Sequence, residues 1–118
     1  MEEWRPIKGY AKWYEVSSLG YVRRVSDKKL LKRVTSGQGY LQVCLYAGGK
    51  HGRLGKFLPI HRLVCEAWNG PPPFEDAQAL HRDDNRVRNV PLNIYWGTAQ
   101  DNADDRKRNT LAHMPLGI

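Results

Sequence analysis

The sequence is short of cysteine, of long apolar runs and, over its first half, of acid, and each shortage excludes something. There are only two cysteines, Cys44 and Cys65, and they form no CxxC pair. A structural zinc site needs about four ligands at recognisable spacing, and none is visible. Two small buried thiols are the simplest reading. His61 and Cys65 stand at i, i+4 and could share a metal, but a packed histidine near a helix start is the expected role. No apolar stretch approaches the roughly 18–20 residues of a membrane span. The N-terminus, MEEWRPIKGY, is acidic first and lacks the apolar region of a secretory signal. A cytoplasmic protein with no membrane partner is therefore expected.

The 118 residues suit one domain, or a small module joined to a small domain, and 41% are apolar, enough for a modest core. The net charge is +7. Residues 5–62 carry thirteen Lys/Arg against two acids, Glu15 and Asp27, whereas residues 63–105 carry three Arg against eight acids. A basic front half followed by an acidic segment suits a chain that grips a polyanion with one part and holds a cation with another.

Along the chain, residues 13–25 (WYEVSSLGYVRRV) read as two short strands around a Ser-Ser-Leu-Gly turn. A third short strand is expected over Leu30–Val34. Tyr40–Tyr46 alternates, with Leu41, Val43 and Leu45 on one face, and Lys56–Ile60 reads as its partner across a glycine-rich turn. Ile60, Leu63, Val64, Ala67 and Trp68 then fall at helical spacing, ended by Asn69-Gly70 and the prolines 71–73. Residues 78–80 read as a strand ending at His81. A polar loop follows, then a strand over 93–97. Thr98 is a good N-cap, and Asp101, three residues on, can complete a capping box for a helix over 99–109.

Two stretches resemble known families. Glu3-Trp4-Arg5-Pro6-Ile7, Gly9-Tyr10, Tyr14-Glu15-Val16-Ser17-Ser18 and Gly20-Tyr21-Val22-Arg23 resemble the modular DNA-binding motif that accompanies phage and intron-encoded homing nucleases. Ser18 stands where that motif usually has Asn, and Arg24 where it has Ser. Residues 79–109, ALHRDDNRVRNVPLNIYWGTAQDNADDRKRN, resemble the HNH nuclease motif in its His-Asn-Asn form. Asn93 lies twelve positions after His81, and Asn102 nine after Asn93. The lead-in GYLQVCLY…IHRLVCEAWNGPPP is similar to that of HNH homing nucleases.

The resemblance implies an α+β protein, a ββα-metal (HNH) nuclease core preceded by a small antiparallel β-rich DNA-binding region. The expected parts are a DNA-binding motif over 1–35, the nuclease domain over 36–112 and a tail over 113–118. It implies a DNA endonuclease, phage or homing type, acting on double-stranded DNA as a monomer or homodimer, in the host cytoplasm if phage-encoded. His81 would be the general base, since a neutral imidazole suits that task near pH 7. Asn93 would brace the loop and orient the histidine. Asn102 would supply an oxygen to one divalent metal, most plausibly Mg2+, with Mn2+ as the alternative. Arg106, one helical turn beyond Asn102, would bind a phosphate. Arg5, Lys8, Lys12, Arg23, Arg24, Lys32, Arg33, Lys50, Arg53 and Lys56 are the candidate DNA contacts.

One position departs from the family. The residue before the base is often a polar metal ligand, and here it is Leu80. Asp83 is the favoured substitute, with Asp84, Asp101 and Asp105 as others. A catalytically impaired DNA-binding protein that retains an HNH fold is the alternative, and a small basic RNA-binding protein is a further rival.

Overall fold

The computed structural model describes residues 1–46 and 55–101. Strands β1 (Trp4–Pro6), β2 (Tyr14–Ser17) and β3 (Val22–Arg24) form an antiparallel sheet in that order. The expected Ser-Gly turn joins β2 to β3. Ser17 Oγ accepts from the Leu19 and Tyr21 amides, and Gly20 takes a positive φ of 84°. This is the left-handed conformation that a side chain makes costly.

A second antiparallel sheet is built from β4 (Val34–Thr35), β5 (Leu41–Tyr46) and β6 (Gly55–Pro59). The strand expected over Leu30–Val34 is split between the two sheets. Leu30 bridges to Arg23, and the Leu31 amide reaches the Val22 carbonyl, whereas Val34 and Thr35 pair with Gln42 and Leu41. The chain changes partner because Leu31 packs on the core cluster while Val34 is already exposed on the second sheet. A boundary after residue 35 thus falls inside the β4–β5 hairpin.

Helix α1 (Ile60–Asn69) follows β6 directly and buries Ile60, Leu63, Val64 and Cys65. Gly70, at φ 78°, closes it. Then β7 (Gln78–His81) pairs antiparallel with β8 (Ile94–Gly97), His81 opposite Ile94 and Leu80 opposite Tyr95. Asn93, expected at the start of that strand, closes a 3₁₀ turn over Pro91–Asn93 just before it. Thr98 and Asp101 exchange the reciprocal hydrogen bonds of a capping box, and residues 99–101 are helical.

One core joins the parts. Ile7, Tyr14, Val16 and Val22 of the first sheet are buried in the same cluster as Val43 and Leu45 of β5, the buried face of α1, Ala79 and Ile94. Arg5 donates to the Ala67 carbonyl and lies over Trp68, which ties β1 to the end of α1. Asn69 Nδ2 donates to the Ile94 carbonyl and Trp96 Nε1 to the Gly70 carbonyl, which fastens the same helix end to β8. Each buried Val, Leu or Ile contributes roughly 1.5–3 kcal/mol relative to exposure. The N-terminal motif therefore stabilises the platform that carries β7. Cys65 lies in that core, and burial pushes its thiol up to about 11, so it stays protonated.

Candidate active site

His81 ends β7, where the sheet hands over to the polar loop, and it is 6% exposed. Its Nε2 lies 2.7 Å from the side-chain oxygen of Asn89, a residue 3% exposed. With the Asn89 carboxamide oriented oxygen toward the ring, the contact is Nε2–H donating to that oxygen, the tautomer that leaves the neutral ring's lone pair on Nδ1. The ring is also packed on its faces. His61 lies 4.9 Å from it between centroids, and Tyr40 6.0 Å away and stacked. Tyr40 and His61 stack on each other at 4.9 Å. Arg86, from the loop after β7, lies over Tyr40 and hydrogen-bonds the Gln38 carbonyl.

Burial lowers both imidazoles. For His81 the loss of solvation outweighs the opposing pull of Asn89, Asp83 and Asp84, and its pKa falls below the usual 6.5. For His61, burial together with neighbouring His81 and Arg62 brings it to about 4. Both rings are neutral at pH 7. Between about pH 4 and 6.5 the folded chain holds fewer protons on His61 than the unfolded chain does, so stability rises with pH across that window. The urea midpoint is expected to fall as the pH is lowered from 7 to 5; an unchanged midpoint would contradict the buried, neutral state of these rings.

Asn93 hydrogen-bonds into the loop after β7. Its Nδ2 donates to Asp83 Oδ1 and to the Arg88 carbonyl, both at 2.9 Å, and its Oδ1 accepts from the Asp83 amide at 3.3 Å. It has no side-chain hydrogen bond to His81; the side chain that hydrogen-bonds the ring among the described residues is Asn89. The reason is geometric: His81 lies across the ladder from Ile94, so Asn93 meets the loop beyond the histidine rather than its ring.

Asp83 belongs to the same network. Its Oδ1 accepts from Asn93 and from the Asn85 amide, and its Oδ2 pairs with Arg88 at 3.0 Å. Burial alone would raise its pKa, but these hydrogen bonds hold it below the usual carboxylate value. Both carboxylate oxygens are thus hydrogen-bonded within the loop. Leu80 is 5% exposed, and its Cδ1 lies with Asp101 Oδ2 and the Tyr95 ring around the Cα of Gly97, so a methyl group occupies the side of β7 next to the helix start. Asp101 Oδ2 is engaged in the cap. Among the described residues no three His, Cys, Asp or Glu side chains converge as a cation site. Those residues by themselves do not fit a divalent cation. Asn102, Asp105, Arg106, Lys50 and Arg53 lie outside the described residues.

The basic candidates divide into two groups. Arg23 pairs with Glu15 at 2.5 Å and lies over Trp4, and Arg24 is held by Asp27. Arg33 covers Tyr21, and Arg5 is committed to α1. These guanidiniums are anchored on aromatic rings or acids. Lys8, Lys12, Lys32 and Lys56 are exposed and make no ion pair with a described residue. Lys8 and Lys56 flank one cleft at the junction of the first sheet and α1, lined also by Arg62.

Asn89, His61 and Tyr40 were not assigned to the site from sequence. No periodicity marks Asn89 within its loop; the one hint was an asparagine in a stretch with no apolar pattern. Its neighbour is Gly20. A Cβ there would meet the Asn89 carbonyl oxygen at 2.9 Å and its Cβ at 3.0 Å. The N-terminal turn therefore presses directly on the residue that holds His81. Gly20→Ala is expected to cost about 1–3 kcal/mol through its positive φ and this clash. Urea unfolding measures it, and an unchanged midpoint would show that the turn relaxes freely.

Comparison with known proteins matches both halves of the chain. Residues 2–46 match the NUMOD4 motif, and residues 59–104 match the HNH endonuclease family. The chain is 35% identical to the DNA endonuclease I-HmuI of Bacillus phage SP01 over 92% of its own length and 60% of that protein. It is 30% identical to the uncharacterised HNH endonuclease L245 of Acanthamoeba polyphaga mimivirus over 83% of its length and 28% of that protein. A solved structure of DNA binding and cleavage by the HNH homing endonuclease I-HmuI superposes with a TM-score of 0.77 at 31% identity, covering 97% of this chain and 62% of that one. The chain thus spans about three fifths of the length of the phage enzyme it resembles.

Proposed function

Since the chain belongs to the HNH homing endonuclease family, with a NUMOD4 motif ahead of its HNH segment, we propose that it hydrolyses phosphodiester bonds of double-stranded DNA with His81 as the general base. The observation that carries this reading is the His81–Asn89 hydrogen bond. It holds the proton on Nε2 and leaves Nδ1 as the acceptor. Burial keeps the ring neutral near pH 7, so a water hydrogen-bonded to Nδ1 can pass it a proton while attacking phosphorus. Tyr40 and His61 fix the ring plane, and the Asn93–Asp83–Arg88 network fixes the loop behind it. The exposed lysines Lys8, Lys12, Lys32 and Lys56 supply sequence-independent attraction to the backbone. Arg106 is the candidate for a contact to the phosphate under attack.

Metal dependence belongs to the same proposal. HNH nucleases generally use a divalent cation, and Mg2+ or Mn2+ would offset charge on the phosphate. Asn102 is the protein ligand that the sequence pattern offers, and Leu80 removes the usual second one. The proposal is therefore a weakly held cation. On supercoiled plasmid, nicking is expected only with added Mg2+ or Mn2+, at a half-saturating concentration that falls in a Leu80→Asp variant. A monomer would nick one strand, and a homodimer would cut both.

Leu80 also favours a second reading, a DNA-binding protein whose nuclease core is idle. Plasmid binding without nicking in any divalent metal would select it and reject the first.

A further inference from the structure

A groove beside His81 shares Tyr40 and His61 with the site just described, but its other walls take no part in the proton transfer. It is a cavity of ≈ 380 Å³ between β5 and β7, with Gln38, Tyr40, Gln42, His61, Gln78 and Leu80 among its walls. Three of these walls are carboxamides. Gln38 uses only its backbone in the hydrogen bonds it makes, and neither Gln42 nor Gln78 has a side-chain hydrogen bond to a described residue. Arg62 is the one basic side chain that reaches the groove besides His61, and it is paired with Glu66 at 3.2 Å. Apart from the Glu66-paired Arg62, the polar walls of the groove are neutral donors and acceptors.

That chemistry separates two parts of a DNA duplex. Phosphates are gripped by cations and backbone amides. Base edges are read by side chains that offer a donor and an acceptor side by side, and a carboxamide does so on one plane. Single surface glutamines are ordinary solvated groups, but here three share one concavity. Their placement is tied to the site. Gln78 begins the strand that His81 ends. Gln42 pairs with Pro59, and the helix carrying His61 starts at the next residue.

Resting on the nuclease reading above, we propose that Gln38, Gln42 and Gln78 read base-pair edges next to the cleaved bond. This groove then sets the local sequence preference, while the exposed lysines hold the backbone without regard to sequence.

The test uses binding, so that it does not depend on cleavage. His81→Ala protein selects duplexes from a randomised DNA pool, in parallel with the same protein carrying Gln42→Ala and Gln78→Ala. The expected result is that the glutamine changes flatten the preference at one or two adjacent base pairs by roughly tenfold. Affinity for unselected DNA and its salt dependence should stay the same. An unaltered preference, a uniform fall in affinity over all sequences, or a parent with no preference to lose would each overturn the proposal. Wild-type chain that selects sequences but never nicks would instead overturn the nuclease reading alone.

Discussion

His81→Ala is expected to lower strand cleavage by about 10²–10⁴-fold, the usual contribution of a positioned general base, with little change in DNA affinity. The ring is buried, neutral and held through Nε2, and among the described residues Nδ1 has no hydrogen-bond partner. Removing it takes away the proton acceptor but none of the exposed lysines that attract the backbone. Single-turnover plasmid nicking and an equilibrium binding assay, run on the same preparations, separate the two effects. Cleavage that survives the substitution would remove His81 from the base role. A matching collapse of binding would mean that the change had damaged the fold, since Ala79, its neighbour but one on β7, belongs to the core cluster.

The second large effect is expected at Asn89, through two different substitutions. Asn89→Ala removes the acceptor for Nε2–H, so the ring loses its orientation and its tautomeric preference. A fall of about 10–100-fold in kcat, with KM little changed, is expected for the loss of such a supporting hydrogen bond. Asn89→Asp keeps an acceptor at the same place and adds a negative charge. The charge favours the imidazolium, so the His81 pKa rises. A protonated ring cannot accept the proton, so the acid limb of the pH–rate profile should move to higher pH, with the rate largely retained on the alkaline side. A merely structural asparagine would not move that limb. Identical profiles for Asn89→Asp and the wild type would refute the positioning role. Asn93 makes more hydrogen bonds than Asn89, yet its substitution should act mainly on the stability of the loop, because its partners are Asp83 and Arg88 and not the ring.

Much of the plan could be read from the chain. The β2–β3 turn, the alternation of 40–46, the stripe on α1 and the Thr98–Asp101 cap are local, and each rests on residues close in sequence. A Gly at positive φ, an apolar residue at every third or fourth position, and a cap three residues away need no distant partner to be inferred. The spacing of His81, Asn93 and Asn102 was legible for the same reason, since a motif is itself a local pattern. The basic residues were legible as a set but not as individuals. Arg23 and Lys12 carry the same charge in sequence, and only the neighbours Glu15 and Trp4 distinguish an anchored guanidinium from an exposed ammonium.

The amino-acid sequence by itself therefore carried the family resemblance, the order of strands and helix, and the histidine proposed as the base. The tertiary structure decided which side chains serve that histidine. Asn89 lies eight residues beyond it in a loop without periodicity, while His61 comes from α1 and Tyr40 from the turn just before β5. Their meeting depends on how two sheets pack around α1. It also decided that Asp83 braces the loop, because a carboxylate's role is set by what lies within about 3 Å of it. It also placed the apolar residues of the N-terminal motif in one core with β5, α1, β7 and β8, because each of these faces is buried against the others.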